Sequence, residues 1–582
     1  MEKQARSYVL VSTAAELGGV AEKLSKAETI GLDTETTGLS PRHGRIRLLQ
    51  LATPEQTFIV DVFETPDLSP LKEVLEDGPV KALHNSKFDY AFLFAEHGIR
   101  LSPIFDTMLA AQLLGGGDQG PSYALEAVAG RHLEEILDKT AQREDWSGRL
   151  SEEQLRYAAR DAAILLPLRE ELQREIEAEH LGTVSRIEFR AVPAIAEMEL
   201  AGVKLDVERW RELENTVRVR RDEAALKLDA EFPEPEGMLP LEGLGPRLNL
   251  NSPQQISDAF RSLGVELPDT KVWTLLKVDH PAAKLLLEYR ELQKKLGTYL
   301  ETYADYIDPQ TGRIHANFLQ CRVPTGRLSC TNPNIQQIPN EDEFRSCFVA
   351  GEGNTLVIAD YSQIELRILA EVSQDPGFVA AFQNGEDLHR VTAATMFEVE
   401  KDEVTSEQRS AAKRINFGLA YGRGARSLSA QLGTDEDRAK TLIDGYFASY
   451  PGVQRYLQET ANKAVEKGTL RTLSGRVRKF GDTSGLDRKG RGALRREAMN
   501  YPVQGASADI AKLALIYIRH ELRDLDARLI NSIHDEFVIE CREDLAEEVA
   551  EKTREAMVRA GAVLLKKVPA EAEVAVSPEW RK

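Results

Sequence analysis

Residues 409–422 read Arg409-Ser410-Ala411-Ala412-Lys413-Arg414-Ile415-Asn416-Phe417-Gly418-Leu419-Ala420-Tyr421-Gly422. Arg409, Lys413, Phe417 and Tyr421 recur every four residues, so on an α-helix each step drifts by only about 40° and the four side chains share one face. Two cations followed by two aromatics suit a nucleotide, with phosphates on the cations and base and sugar against the rings. An amphipathic helix with a solvated basic edge has the same spacing, so the meaning of this face depends on its company.

Upstream, the apolar strand Thr355–Ala359 delivers Asp360 and continues as Tyr361-Ser362-Gln363-Ile364-Glu365-Leu366-Arg367. Far downstream, the apolar hairpin Leu529–Glu540 delivers Asp535 at the turn His534-Asp535-Glu536. Either acid alone would be an ordinary turn residue.

The first third alternates short β-rich runs (Thr29–Asp33, Ile46–Ala52, Thr57–Val62, Val80–His84) with helical patterns (Tyr90–His97, Glu152–Ile176), which reads as an α/β domain. Its first strand ends in Asp33-Thr34-Glu35, and alternation sends both acids to one face, where they can share hard divalent cations. Asn85-Ser86-Lys87-Phe88-Asp89 follows another apolar strand, and Tyr157 and Asp161 lie four apart on one helical face. From about Phe189 the pattern turns helical. A charged stretch, Asp206–Ala230, runs into Glu231–Pro253, whose five prolines and three glycines predict a loop between long helices. Pro281–Tyr303 predicts a second helical segment, and helices dominate again to about Ala464.

At 582 residues the chain is too long for one ordinary core, given about 150 residues per domain, which excludes a small binding module. With 42% hydrophobic and 29% charged residues it buries a sizeable core, which excludes wholesale disorder. Seventy-four Lys+Arg against 94 Asp+Glu give a net charge of −20, which at first sight argues against a polyanionic partner. Net charge is an average, however. Residues 467–500 carry Lys467, Arg471, Arg476, Arg478, Lys479, Arg488, Lys489, Arg491, Arg495 and Arg496 against three acids, so a basic surface fits inside an acidic chain, although a solvated hairpin would read the same way. Four scattered cysteines exclude a disulfide framework and fit a reducing compartment. No apolar run predicts a signal peptide or membrane span, so a cytoplasmic protein is expected.

Four acids and a tyrosine, in this order on an α/β frame, resemble the DEDDy family of 3′–5′ exonucleases. Asp360 to Arg367, the Arg409–Gly422 helix and His534-Asp535-Glu536 resemble motifs A, B and C of family A DNA polymerases. Thr325-Gly326-Arg327-Leu328-Ser329, Asn334-Ile335-Gln336-Gln337-Ile338-Pro339, Leu250-Asn251-Ser252-Pro253 and Arg496 through Gln504-Gly505 agree with that resemblance, which covers nearly the whole chain. It implies an α/β plus α+β multidomain fold. A ribonuclease H-like exonuclease domain (residues 1–185) precedes a right-hand polymerase domain (186–582), with thumb at about 205–315, palm at about 316–370 and 496–582, and fingers at about 371–495.

The resemblance also implies roles. Asp360, Asp535 and the accessory acid Glu536 would hold two Mg²⁺ ions, and Asp33, Glu35, Asp89 and Asp161 two more, with Mn²⁺ as an alternative. Tyr157 would orient the attacking water in the exonuclease. Arg409, Lys413, Gln363 and His389 would contact the incoming dNTP, with Lys413 the proton donor to pyrophosphate, while Phe417 and Tyr421 flank the nascent base pair. Glu365 would close the sugar pocket against a 2′-hydroxyl. Arg327, Arg496, Asn500, Gln504 and His534 would track the primer–template duplex through acceptors that all correct base pairs share.

The expected function is template-directed DNA synthesis with 3′–5′ proofreading by a monomer acting on primer–template DNA and dNTPs, with no membrane, nucleoid-associated if bacterial. A nuclease whose polymerase half has become a DNA-holding scaffold is the alternative, disfavoured by the intact Asp360 and Asp535. A single-subunit RNA polymerase is disfavoured by Glu365 and Phe417. Met1 lies only 32 residues before Asp33, so no preceding 5′-nuclease domain is expected.

Overall fold

The computed structural model describes residues 8–118, 120–136, 145–233, 248–420 and 422–581. Strand Ile46–Ala52 is buried at nearly every position, as a strand covered on both faces must be. It lies inside a six-stranded sheet whose spatial order is Tyr8–Val11, Thr57–Asp61, Ile46–Ala52, Thr29–Thr36, Val80–Leu83, Ile104–Asp106. Neighbours Ile46–Ala52 and Thr29–Thr36 are antiparallel, whereas Thr29–Thr36, Val80–Leu83 and Ile104–Asp106 are parallel. Thr29–Thr36 runs three residues past the strand end that the sequence predicts, so Asp33 and Glu35 both sit within it.

Helix Glu152–Ala178 starts at a capping box, in which Ser151 and Gln154 satisfy each other's backbone N–H groups. It packs directly on the strand of acids, because a Cβ on Gly31 would fall 2.1 Å from the carbonyl oxygen of Ala162. Only glycine lets the helix come this close, and that approach sets Tyr157 and Asp161 over the sheet.

Helix Gly182–Ala201 feeds two cores. Val184, Phe189, Val192 and Ala196 belong to the N-terminal core, while Ile187, Ala191, Ala194, Ile195 and Met198 belong to the C-terminal one. The expected division at residue 185 therefore falls inside a shared helix. Helices Val207–Ala230 and Pro281–Lys295 then pack together. Most of the proline-rich loop predicted between them, residues 234–247, lies outside the described residues.

The second sheet is antiparallel, in the order Ala527–Ile533, Glu536–Arg542, Asn354–Tyr361, Ala572–Ser577. Helices Arg488–Leu522 and Ala546–Leu564 pack against each other beside it. Between strand Asn354–Tyr361 and the long helix, the chain forms helices from Ile364 to Lys467, among them Leu388–Phe397 and Ser406–Ala420. The basic run 467–500 divides: its first part is a hairpin, Thr469–Arg471 with Val477–Lys479, and its last part begins helix Arg488–Leu522. All four cysteines are free thiols, and among the described residues no helix is long and apolar enough to cross a membrane.

Trp210, fully buried, anchors Val207–Ala230 to the rest of the C-terminal core. Its Nε1 donates to the Leu300 carbonyl at 3.1 Å, and its ring lies 5.8–6.0 Å from those of Tyr303, Phe344 and Phe348. Trp210→Ala is expected to lower unfolding stability by about 3–5 kcal/mol, read as a shift of the denaturant midpoint.

Candidate active sites

Asp360 is the next-to-last residue of strand Asn354–Tyr361, and its Cα partner across the ladder is Glu536. Asp535 stands one residue earlier, in the turn before strand Glu536–Arg542, where its carbonyl accepts the Tyr361 N–H at 3.2 Å. The two acids thus meet across a hydrogen-bonded strand pair. His534, at φ 57°, takes the left-handed conformation that makes the reversal. Burial, then the charge of Asp360, pushes the Asp535 carboxyl up to about 7.

Both acids line a cleft of about 540 Å³. Its opposite wall is helix Ser406–Ala420, which presents Arg409, Lys413 and Phe417 as the four-residue spacing predicts. Tyr421 lies outside the described residues. Arg409 Nε donates to Asp387 Oδ2 at 2.5 Å, and Asp387 also caps helix Leu388–Phe397 by accepting the His389 N–H at 3.0 Å. His389 is buried and lines the cleft, and burial, opposed by Asp387 and aided by Arg409 and Lys413, brings its pKa down to about 4. Asn416 Nδ2 donates to His389 Nδ1 at 3.0 Å, which leaves the ring neutral with its hydrogen on Nε2.

Glu365 and Gln363 reach the same cleft from the start of helix Ile364–Ser373. Gln363 takes φ 54°, and its Oε1 is buried without a hydrogen-bond partner among the described residues. Glu365 is ion-paired with Arg327, which brings the expected sugar gate and an expected primer contact together. Arg496, Asn500 and Gln504 follow one another at four-residue intervals on helix Arg488–Leu522, and Ser507, one turn on, lines the cleft.

Glu536 departs from expectation. Its carboxylate accepts from Arg345 Nη1 at 3.2 Å and from the Trp580 indole at 2.8 Å, and it does not line the cleft. Glu573, the Cα partner of Asp360 on the other side of its strand, does line it, as does Ser362. Glu573 lies in no motif, and only the sheet register brings it there.

A second cavity, of about 360 Å³, gathers all five expected residues of the N-terminal domain: Asp33, Glu35, Asp89, Tyr157 and Asp161. Burial is the largest cause of each carboxyl's upward shift, which brings Glu35 to about 8, Asp89 to about 7 and Asp161 to about 6. Asp33, half-buried at the cavity wall, is raised by burial and by Asp89, Glu35 and Asp161. The Thr34 hydroxyl donates to Asp89 Oδ1 at 2.7 Å, and the Tyr157 hydroxyl donates to Asp161. Phe88, Met108 and Tyr123 add an apolar and aromatic wall without a motif of its own.

Among the described residues, no three acids, histidines or cysteines stand already gathered as a metal-binding group. Buried acids that favour their protons, with hard oxygen donors facing one cavity, fit a divalent cation, whose charge would offset the repulsion.

A family model described as DNA polymerase family A matches residues 239–582, and one described as 3′-5′ exonuclease matches residues 8–177. The chain is 34% identical to DNA polymerase I of Aquifex aeolicus, over 96% of this chain and 97% of that one. It is 34% identical to DNA polymerase I of Chloroflexus aurantiacus and 35% identical to that of Pseudomonas aeruginosa, over 98% of this chain but only 63% and 66% of theirs. A solved structure described as the POL domain of Pol1 from M. smegmatis in complex with DNA primer-template and dNTP superposes with a TM-score of 0.83 at 30% identity, over 98% of this chain and 99% of that one.

Asp33→Asn combined with Asp89→Asn relieves part of the crowding. In chelator at pH 8 the variant's N-terminal domain is expected to melt about 2–4 °C higher for each kcal/mol relieved. An acid whose folded-state pKa is raised costs stability as pH climbs from its ordinary value of 3.8 towards about 7, so the gain should shrink near pH 4.5. Calorimetry at both pH values checks this.

Proposed function

The chain belongs to DNA polymerase family A and is a DNA-directed DNA polymerase with a 3′–5′ exonuclease domain, and from that premise we propose that the Asp360–Asp535 cleft extends primed templates with dNTPs while the Asp33–Asp161 cavity removes mispaired 3′ ends. The carrying observation is the meeting of Asp360 and Asp535 on paired strands opposite a wall of Arg409, Lys413 and Phe417.

Family A polymerase and 3′–5′ exonuclease domains use divalent metal ions. Asp360 and Asp535 would hold two Mg²⁺, and Asp33, Glu35, Asp89 and Asp161 two more. When bound, the ions lower the pKa of the attacking oxygen and neutralise charge on the leaving one. Arg409 and Lys413 grip the triphosphate, and Lys413 gives its proton to the departing pyrophosphate. Neutral His389 donates from Nε2, which adds a phosphate contact without a further charge. Phe417 supports the base pair, and Glu365 fills the space that a 2′-hydroxyl would need. The unpartnered oxygen of Gln363 favours a substrate contact at that position.

Arg327, His534, Arg496, Asn500 and Gln504 follow the duplex, with the Glu365 ion pair aiming Arg327. In the exonuclease, Tyr157, held on Asp161, orients the attacking water. We assign the thumb to about 205–315, the fingers to about 371–495 and the palm to the remainder from 316. The protein would act as a cytoplasmic monomer on primer–template DNA and dNTPs, the ligands of the solved structure it resembles.

Two experiments test this reading. Asp33→Ala with Glu35→Ala should cut degradation of a labelled single strand at least ~10³-fold while extension stays within about twofold, and Asp360→Ala should do the reverse. Loss of both activities in either variant would refute two separate sites. Glu365→Ala should raise ribonucleotide incorporation about 10²-fold relative to deoxynucleotides in single-nucleotide kinetics, and an unchanged preference would remove Glu365 from the gate.

A further inference from the structure

Three cations of the basic run are engaged by the protein itself: Arg476 is buried, and Arg478 and Lys479 bond backbone carbonyls of the N-terminal domain. Hairpin 469–479 grips the N-terminal domain on one side. The Lys479 N–H donates to the Gly116 carbonyl at 2.9 Å, Lys479 Nζ to the Leu114 carbonyl at 2.9 Å and Arg478 Nη1 to the Gly117 carbonyl at 3.0 Å. Val477 is buried within the N-terminal core. Gly116 and Gly117 have φ of 60° and 84°. A Cβ on Gly116 would lie 2.7 Å from Lys479 Cγ, and one on Gly117 2.9 Å from Pro324 Cβ. These glycines follow helix Thr107–Gly115, which carries Met108 into the exonuclease cavity.

On its other side the hairpin enters the polymerase domain. Arg476, only 4% exposed, donates through Nη2 to Asp509 Oδ1 at 2.6 Å and is ion-paired with Glu188 of the shared helix. Lys512 Nζ reaches Glu188 Oε1 at 2.5 Å, so two buried cations meet two buried anions. The Arg476 guanidinium packs against Gly326, where a Cβ would lie 2.5 Å from Cζ. Thr472 Cγ2 packs likewise against Gly505, at 2.5 Å from the position of a Cβ. Gly326 precedes Arg327 and Gly505 follows Gln504, so the hairpin abuts the backbone at two of the proposed duplex contacts.

We infer that hairpin 469–479 is a rigid bracket that fixes the exonuclease domain to the primer-tracking residues of the polymerase site, with Arg476 as its positioning residue, and so governs transfer of a primer end between the two sites. The inference rests on the two-site reading above and deepens it. A backbone hydrogen bond, side-chain bonds to carbonyls, apolar packing by Val477 and a buried charge network act together, so the cavities keep one spacing. A loosened domain would sample many orientations and offer the primer end a lower effective concentration of exonuclease site.

The test uses the full chain carrying Arg478→Ala and Lys479→Ala, which removes side-chain contacts to residues 114–117 and touches neither cavity. Three rates are compared with the parent: single-strand degradation, extension of a matched primer, and idle turnover of dNTP to dNMP on a primer–template, which needs both sites in succession. Idle turnover should fall about threefold or more while the other two stay within about twofold. Unchanged turnover, or an equal fall in single-strand degradation, overturns the bracket.

Arg476→Lys keeps the buried charge but loses the fork to Asp509. It should raise the primer–template KM about threefold or more with kcat preserved, and a KM equal to the parent's overturns the positioning role. Absence of extension or degradation in the parent itself overturns the two-site reading and the bracket with it.

Discussion

Two carboxylates cannot be held side by side in a protein interior unless something stronger keeps them there. For Asp360 and Asp535 that force is the ladder from Asn354↔Arg542 to Asp360↔Glu536, hydrogen-bonded along strands whose residues Leu356 to Ala359 and Phe537 to Ile539 are all buried. A slip of one residue would exchange the side chains packed on the two covered faces and part the acids, so packing of the apolar side chains specifies the register and the register specifies the site. Burial first, and then the charge of Asp360, raises the Asp535 carboxyl's pKa, so the ladder holds the pair against both. Phosphate cations, sugar gate and duplex contacts all gain meaning from their distance to this pair.

The exonuclease cavity meets the same difficulty by different means. Its acids come from one strand and two helices, and close packing replaces a shared ladder. Gly31 admits helix Glu152–Ala178 to the sheet, and Asn85, at φ 61°, turns the chain into helix Ser86–His97, which delivers Asp89. In both sites a cation would turn an unfavourable arrangement into a favourable one, so an acidic chain with a net charge of −20 can still serve a polyanion. Local placement of Arg409, Lys413 and Arg327 outweighs the sum over the surface.

Chemistry with a fixed spacing was legible in the sequence. The i, i+4 face of Arg409, Lys413 and Phe417, and the alternation of Asp33 and Glu35, survive folding because helices and strands impose those periods. What was not legible depends on tertiary register or on a partner's identity. Glu573 reaches the cleft because Ala572–Ser577 pairs with Asn354–Tyr361, a match that no local pattern announces. Glu536 carries a motif acid's position but is engaged by Arg345 and Trp580, both distant in sequence. Asn416, which fixes the His389 tautomer, faces away from the i, i+4 stripe and reads as an ordinary buried polar residue. The direction of each charge in the basic run was not legible either: Arg476 turns inward to Asp509, and Arg478 and Lys479 reach the carbonyls of Gly117 and Leu114, while Lys467, Arg471, Arg488, Lys489, Arg491 and Arg496 stay exposed.

Helix Gly182–Ala201 ties these levels together. A linker of Gly, Ser or Pro would let two domains move independently, whereas a helix with one face in each core makes their relative position part of the fold. Glu188 on that helix, Arg476 on the hairpin and Lys512 on the long helix converge on one buried network, so three elements from both halves must be in place before any of their charges is satisfied. Folding of the polymerase half and docking of the exonuclease half are therefore coupled through charge as well as through apolar packing. On so fixed a frame the two cavities would keep one spacing, and a primer end passing between them would itself make the move.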